Sequence, residues 1–415
     1  MRLSMRRKTL LGLTLAVMLA FGGCADKGAG ESGAAVTGES NAGQENTETV
    51  GKETGSEGTK ESTTPSPTVT PTPEPEVILG NTVEFASAQE FVESMGIGWN
   101  LGNSLDSVDC HSIFNELEYE MGWGNVRTKQ KLIQMIKADG IDTIRIPVSW
   151  KNHVGAAPDY KISEKWLNRV TEIVDWCVEE DMYIILNMHH EDEWITTAST
   201  DYDAVMERYT AIWTQLAEHF GNYSNKLIFE SMNEIGFDDL GTQKGCELLN
   251  KMNAEFVKLI RNSGKNNADR YLLLAGYWTD IDRSCEGIVM PEDDKVILSV
   301  HYYSPAQFAI AEKGTSWGYR ETWGTEEDFT YLKGQMEKLK TNFLDKGIPV
   351  IVGEYGCTRK DKDPASRLLW LASVAEYCID YGICPVLWDN GEEIDRINFV
   401  WRTEGLAEAL RKTLE

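Results

Sequence analysis

Basic residues are scarce in this sequence compared with acidic ones. The 415-residue chain has 40 Lys and Arg against 66 Asp and Glu, which gives a formal net charge of −26. A negative field of this strength opposes binding to nucleic acid or to anionic membrane surfaces, whereas a neutral polymer is indifferent to it. The composition therefore argues against a nucleic-acid partner and leaves neutral substrates open.

Patterns that bind metals or cofactors are also missing. The eight cysteines form no Cys-x-x-Cys pair, and the seven that follow residue 24 cannot all pair with one another. The run His189-His190-Glu191-Asp192 lacks the His-Glu-x-x-His spacing of a zinc protease. We therefore predict mostly buried thiols with at most one or two disulfides, no cofactor and no functional metal, while leaving a structural ion open.

One apolar stretch, at the N-terminus, resembles that of a signal sequence. Four basic residues precede the apolar stretch 9–21, which ends at Gly22-Gly23-Cys24. A basic start, a short apolar stretch and small residues before a break are typical of a secretory signal. Cys24 resembles the lipidation site of bacterial lipoproteins. We predict a lipoprotein-type signal peptide over 1–24 and a lipid anchor at Cys24 that tethers the protein to the bacterial cell surface, with an ordinary cleaved signal as the alternative.

Large apolar side chains are almost absent between residues 25 and 80. This segment consists mainly of Gly, Ser, Thr, Glu and Pro, and prolines alternate with other residues near its end. Such a composition cannot offset the entropy lost on ordering, and its Pro-rich end favours an extended spacer. We predict a disordered linker over 25–80, followed by a folded domain over 81–415.

Apolar runs of strand length alternate with segments of helical periodicity along 81–415. Several runs are continuous in Val, Ile and Leu, as expected for parallel strands buried on both faces. The eight runs lie near 96–100, 142–148, 183–188, 226–232, 271–275, 296–301, 349–353 and 385–388. The crossover 277–294 contains no convincing long helix. The alternation predicts an α/β fold, a (β/α)8 TIM barrel, with a doubly wound sheet as the alternative.

Two glutamates stand where two of these runs end. Glu234 follows the fourth run and Glu354 closes the seventh. Reactive side chains of a (β/α)8 barrel gather at the carboxyl ends of the strands, so these glutamates can face one cleft. Glycoside hydrolysis needs such a pair, because one carboxyl group protonates the departing oxygen while the other attacks or activates water.

The ordered set of residues at the strand ends resembles glycoside hydrolase family 5. The matching positions are Arg145, His189, Asn233, Glu234, His301, Tyr303, Glu354 and Trp388. The stretches 98–103, 277–280 and 323–325 resemble its subfamily 4, which contains endoglucanases, xyloglucanases and mixed-linkage glucanases. The resemblance covers nearly all of 81–415 and implies a β-glucan substrate, with β-mannan as the alternative within the family.

The resemblance implies roles for the charged residues. Glu234 is expected to be the acid/base, with its pKa raised by a partly apolar site and by the charge of Glu354. Glu354 is expected to stay ionised as the nucleophile, held by Arg145 and Tyr303. A nucleophile in this position implies retention of anomeric configuration.

The resemblance also implies which residues bind the sugar. Asn233 would bond the 2-hydroxyl, His189 and His301 would orient carboxylates and sugar, and Trp388 would form a stacking floor. Further substrate contacts are predicted for His190, Asn103, Trp278 and Trp323.

Two functions of other classes remain open at this point. Gly314-Thr315-Ser316-Trp317-Gly318 matches the G-x-S-x-G pattern of esterases, which requires a strand before the serine and a helix after it. A non-catalytic glycan-binding surface lipoprotein would explain the anchor, the linker and the tryptophans. It would not require both Glu234 and Glu354.

Overall fold

The computed structural model describes residues 77–415. The predicted signal peptide 1–24, its lipidation site Cys24 and residues 25–76 of the predicted linker lie outside the described residues. None of the helices in the described part is both long enough and apolar enough to cross a membrane.

Eight parallel strands close into a barrel in sequence order, and the first strand pairs with the last. Their bounds are β1 Gly98–Leu101, β2 Thr143–Ile146, β3 Tyr183–Asn187, β4 Leu227–Glu230, β5 Leu272–Asp280, β6 Val296–Tyr302, β7 Val350–Tyr355 and β8 Cys384–Asp389. Residues of these strands are almost all buried, which explains why the sequence runs are continuous rather than alternating. The predicted (β/α)8 barrel is confirmed.

Helices cover the outside of the barrel. They are α1 Ala88–Ser94, α2 Gln130–Ala138, α3 Glu164–Glu179, α4 Asp192–Ile195, α5 Tyr202–His219, α6 Thr242–Asn262, α7 Ile281–Gly287, α8 Ala306–Ala309, α9 Glu326–Asn342, α10 Pro364–Asp380 and α11 Leu406–Lys412. The fifth crossover has only the short α7, in agreement with the sequence, because β5 extends to Asp280. A two-stranded ribbon, β9 Ile394–Asp395 with β10 Val400–Trp401, follows β8 and was not predicted.

The barrel helices bury one face each. In α3, Trp166, Val170, Ile173 and Val174 are buried, which places apolar side chains three or four residues apart against the strands. The start of α10 is fixed locally, because the carboxylate of Asp363 accepts a hydrogen bond from the Ser366 amide and Pro364 occupies the first turn.

The N-terminal end of the barrel is closed by α1. Phe91, Val92 and Met95 are fully buried and pack on a cluster formed by the first residues of the strands. The ring of Phe91 stacks on Tyr271 at a centroid distance of 3.5 Å and meets Tyr183 edge-on at 5.4 Å. This apolar closure leaves the opposite, C-terminal end as the open one.

The seven cysteines of the described region are all free, and five of them are buried: Cys177, Cys246, Cys357, Cys378 and Cys384. The prediction of mostly buried thiols is confirmed. Burial raises the pKa of the Cys357 thiol to about 12, so this side chain stays protonated near neutral pH.

Candidate active site

A buried guanidinium organises the C-terminal end of the barrel. Arg145 lies near the end of β2 and is completely buried. Its Nε donates to Glu230 Oε2 at 2.7 Å, Nη1 donates to Glu354 Oε1 at 2.7 Å, and Nη2 donates to Asn233 Oδ1 at 2.9 Å. Nη1 also donates to Asn100 Oδ1 at 3.0 Å. One side chain therefore fixes residues from β1, β4 and β7 in a single arrangement.

Glu354, on β7, accepts hydrogen bonds from two donors. Besides Arg145, the hydroxyl of Tyr303 donates to its Oε2 at 2.8 Å. Burial raises the pKa of Glu354 and the charge of Glu234 adds to this, while the charges of His301 and Arg145 oppose the shift. Burial also raises the pKa of Tyr303 far above its ordinary value, and the adjacent charge of Glu354 acts in the same direction. Tyr303 consequently stays protonated, and its hydroxyl can donate a hydrogen bond to Glu354.

Glu234 follows β4 and faces more water than Glu354 does. Its side chain is 39% exposed against 6% for Glu354, and its Oε1 lies 2.7 Å from His301 Nδ1. Burial alone would raise the pKa of Glu234, but the hydrogen bond and charge of His301, together with the charges of His190 and Arg145, outweigh it and hold the pKa below its ordinary value. The expectation of a raised pKa is therefore wrong, because the sequence did not reveal how close His301 lies to Glu234.

The two glutamates lie close together. A carboxylate oxygen of Glu234, a carboxylate oxygen of Glu354 and a ring nitrogen of His301 all lie within 4.8 Å of one another. Inverting glycosidases separate their carboxyl groups by about 6.5–9.5 Å to admit a water molecule, whereas retaining enzymes use about 5–5.5 Å. The arrangement fits direct attack by one carboxylate on a sugar carbon.

Two parallel aromatic rings lie beside the glutamates. The ring of Trp388 lies parallel to that of His189, with an interplanar angle of 7° and a centroid distance of 5.7 Å. A Cβ at Gly102 would stand 2.8 Å from the Trp388 ring, so glycine is needed there for the indole to lie flat. Because Asn233 Oδ1 accepts from Arg145, its amide Nδ2 remains available to bond a sugar hydroxyl.

Known proteins share much of this sequence. The chain matches the family model Cellulase (glycosyl hydrolase family 5) over residues 106–393. It is 37% identical to Endoglucanase A of Ruminococcus albus over 345 residues, which span 79% of this chain and 93% of that protein. The chain belongs to glycoside hydrolase family 5.

Solved structures of this family agree in fold. A broad-specificity endoglucanase of subfamily 4 from Clostridium longisporum has a TM-score of 0.74 and 33% identity, covering 80% of this chain and 99% of that one. A family 5 lichenase from Caldicellulosiruptor sp. F32, solved as a mutant complex with cellotetraose, has a TM-score of 0.75 and 32% identity, covering 83% of this chain and 99% of that one.

The other predicted substrate residues of this family 5 enzyme fall into different places. His190 is half-buried and its ring lies 4.4 Å from that of His189. Asn103 directly follows Gly102, and its carbonyl accepts from Asn125 Nδ2 at 2.9 Å. His190 follows β3 and Asn103 follows β1, so both lie at the C-terminal end of the barrel.

The two predicted tryptophans differ in exposure. Trp278 is half-buried, packs over Gly236 and donates from Nε1 to Asp238 Oδ1 at 3.0 Å, which places it beside the loop that carries Glu234. Trp323 is only 4% exposed and packs against Phe329 at 4.8 Å. Little of the Trp323 surface is left for a sugar, so its predicted substrate contact gains no support from this placement.

Some site residues were not assigned a role from the sequence. Glu230 is fully buried on Arg145, and Asp106 is fully buried where its carboxylate accepts the amides of Asn103 and Ser104 at 3.0 and 2.6 Å. Burial raises the pKa of Asp106, against the charge of His190. Trp123, 37% exposed, brings its ring to 5.3 Å from His190.

The structure gives less support to a metal site or to an esterase site. Within residues 77–415, two groups have the side chains to hold a metal ion: Asp106 with His189 and His190, and Glu234 with His301 and Glu354. The guanidinium of Arg145 on Glu354 disfavours a cation in the second group. Ser316 lies in turns between α8 and α9, where the chain lacks the strand that an esterase serine requires.

Proposed function

We propose that this family 5 enzyme is a retaining endo-β-1,4-glucanase that uses Glu354 as the nucleophile and Glu234 as the acid/base. The observation that carries the assignment is the placement of both carboxylates within 4.8 Å of each other, with Arg145 and Tyr303 on one of them only. Glu354 is buried and held in place by two donors, which suits it to attack a sugar carbon. Glu234 is more exposed, which suits it to exchange protons with substrate and water.

The first half-reaction forms a glycosyl ester. An oxygen of Glu354 attacks the anomeric carbon as the bond from that carbon to the glycosidic oxygen breaks, and Glu234 transfers its proton to the departing oxygen. A bound glucan displaces water from Glu234, and this desolvation raises the pKa of its carboxyl group, which opposes the lowering by His301.

The second half-reaction uses water. Glu234, now ionised, takes a proton from a water molecule whose oxygen attacks the anomeric carbon, and the ester bond to Glu354 breaks. Two displacements at one carbon retain the β configuration. Asn233 bonds the 2-hydroxyl more strongly as charge develops on the ring.

The relatives support a β-glucan as the substrate. Broad-specificity endoglucanases and a lichenase bound to cellotetraose share the fold at 32–33% identity. The substrate class is tested by product analysis on carboxymethylcellulose, xyloglucan, barley β-glucan, lichenan and mannan. We expect shortened oligosaccharides from at least one of the glucans. Hydrolysis of mannan alone would make the chain a β-mannanase instead, and binding to glucan with no product on any polymer would favour a glycan-binding protein.

We also propose that the enzyme is held at the bacterial cell surface through Cys24. The basic, apolar and small residues before Cys24 support this, and residues 25–76 would separate the anchor from the catalytic barrel. Cys24→Ala in the full chain should move the activity from the cell fraction to the medium or leave the precursor unprocessed. An unchanged cell fraction with a processed N-terminus at another residue would contradict lipidation at Cys24.

A further inference from the structure

Arg145 has one more acidic partner than its charge requires. Its Nε donates to Glu230 and its Nη1 to Glu354, both at 2.7 Å, and the three side chains are between 0 and 6% exposed. Buried carboxylates are costly unless they are paired, so a second one on the same guanidinium calls for an explanation. The catalytic assignment above uses Glu354 and leaves Glu230 without a role.

The surroundings of Glu230 hold it in place and away from the sugar. It is the last residue of β4, it is fully buried, and its Oε1 accepts from Ser299 Oγ at 2.8 Å. Both carboxylate oxygens therefore have partners inside the protein. Its position is suited to act on Arg145 and through it on Glu354.

The charge of Glu354 changes during the reaction proposed above, and that of Glu230 does not. When Glu354 forms its ester bond to the anomeric carbon, its carboxylate loses the negative charge. A guanidinium paired with Glu354 alone would then become a buried cation with no counter-ion, which is strongly unfavourable. With Glu230 present, Arg145 stays neutralised throughout.

We propose that Glu230 is the permanent counter-ion of Arg145, which keeps this buried guanidinium paired while Glu354 is a neutral glycosyl ester. The inference rests on the proposed retaining mechanism. It makes Glu230 a positioning residue that favours the first half-reaction. Arg145 pairs with two carboxylates, so it binds Glu354 less tightly than it would if Glu354 were its single partner. Less of the pairing energy is then lost when Glu354 forms the ester.

The other groups around Glu354 do not provide a negative charge that pairs with Arg145. His189 Nε2 lies 3.9 Å from Glu354 Oε1, and His301 Nδ1 lies 3.6 Å from Oε2. Tyr303 keeps its proton, Glu234 bonds to His301, and β1 contributes the neutral amide of Asn100. Among the described residues, Glu230 and Glu354 are the acidic partners of Arg145.

The test measures the two half-reactions separately. A 2-deoxy-2-fluoro β-cellobioside with a good leaving group should inactivate the wild-type protein by forming the ester, and reactivation should follow as the ester hydrolyses. In Glu230→Gln, which keeps shape and removes charge, we expect inactivation to slow by about 10- to 100-fold. Reactivation should not slow, because Arg145 now stabilises the departing carboxylate fully.

A matched control removes the neighbouring hydrogen bond and keeps the charge. Ser299→Ala should leave the ratio of the two rate constants close to that of the wild type. If both constants fall together in Glu230→Gln, or neither changes, Glu230 is only a structural ion-pair partner and the inference is overturned. If the wild-type protein itself is not inactivated, the proposed retaining mechanism fails, and the role of Glu230 that rests on it fails with it; this outcome is distinct from a failure seen only in Glu230→Gln.

A second variant covers the case in which Glu230→Gln does not fold. Glu230→Asp keeps the charge and moves it one methylene away from Arg145. It should slow inactivation relative to the wild type, by less than the roughly 10- to 100-fold expected from loss of the charge, again without slowing reactivation. Equal slowing of the two steps in Glu230→Asp would contradict the role.

Discussion

The two ends of the barrel bury side chains of opposite character. At the N-terminal end, Phe91 and Val92 of α1 and the following Met95 pack on the first residues of the strands, and this cluster is apolar. At the C-terminal end, Arg145, Glu230 and Glu354 are equally buried and all charged. Burying apolar surface stabilises a fold by about 25 cal/mol per Å², whereas burying ions costs several kcal/mol each before pairing compensates.

This difference teaches where stability and activity reside in this protein. The closed end contributes hydrophobic stabilisation and has no groups that touch the sugar. The open end buries charged groups at a cost in stability, and in the proposed mechanism these groups position the nucleophile and stabilise the positive charge that develops on the sugar. Substitutions at the C-terminal end should therefore change mainly the rate of hydrolysis, and substitutions at the N-terminal end should change mainly the free energy of unfolding.

The largest effect is expected from removing the nucleophile. Glu354→Ala should lower turnover of every glycoside by about 10⁴-fold or more, because no group remains to form the ester. Its thermal unfolding midpoint should not fall sharply, since Glu230 still pairs with Arg145. Added azide should restore part of the rate and give an inverted product. Activity close to wild type would place the nucleophile elsewhere.

Removal of the acid/base should depend on the leaving group. Glu234→Ala should lower polysaccharide hydrolysis by about 10²–10⁴-fold, while formation of the ester from activated aryl glycosides survives because such groups depart without a proton. Azide should then accelerate turnover with retained configuration. If Glu234→Ala and Glu354→Ala show the same leaving-group dependence, the two roles have been assigned wrongly.

At the closed end the effect should appear in stability alone. Phe91→Ala should lower the free energy of unfolding by about 3–5 kcal/mol, because the residue is fully buried and leaves a cavity under the barrel. Measured well below the melting temperature, kcat should match the wild type. Phe114→Ala is the control, since that ring is 94% exposed and its loss should change stability by less than about 0.5 kcal/mol. A large drop in kcat for Phe91→Ala would break the separation of the two ends.

The smallest predicted effect is a shift in pH dependence. His301 lowers the pKa of both Glu234 and Glu354. In His301→Asn both pKa values should rise, so Glu354 ionises only at higher pH and Glu234 keeps its proton to higher pH. Both limbs of the kcat/KM profile should move toward alkaline pH by about one unit, which corresponds to 1.36 kcal/mol. A shift of either limb toward acid pH would contradict the assigned causes.

The sequence predicted the barrel because its strands carry the clearest signal. Runs such as that of β3 are continuous and apolar, and such runs occur where helices cover both faces of a parallel sheet. The closing helix α1 was not predicted, since seven residues with one apolar face are too few to stand out from the preceding linker. The ribbon β9–β10 has two residues per strand and left no periodic pattern.

Within the site, residue types were predictable and distances were not. The order of Asn233, Glu234 and Glu354 along the chain identifies the pair, because strand ends of a barrel converge. The pKa direction of Glu234 depends on the 2.7 Å contact with His301, which no spacing encodes. Glu230 reads as part of an apolar strand, and only the structure shows that its carboxylate reaches Arg145.

The central claim is that Glu354 attacks the sugar directly, and the anomeric form of the first product tests it most directly. A soluble cello-oligosaccharide is hydrolysed with enough enzyme to outrun mutarotation, and the new reducing end is followed by proton NMR. The short separation of the carboxylates predicts the β anomer first, with the α anomer growing only as mutarotation proceeds. An initial α anomer would mean that Glu354 activates water instead, and would contradict the account.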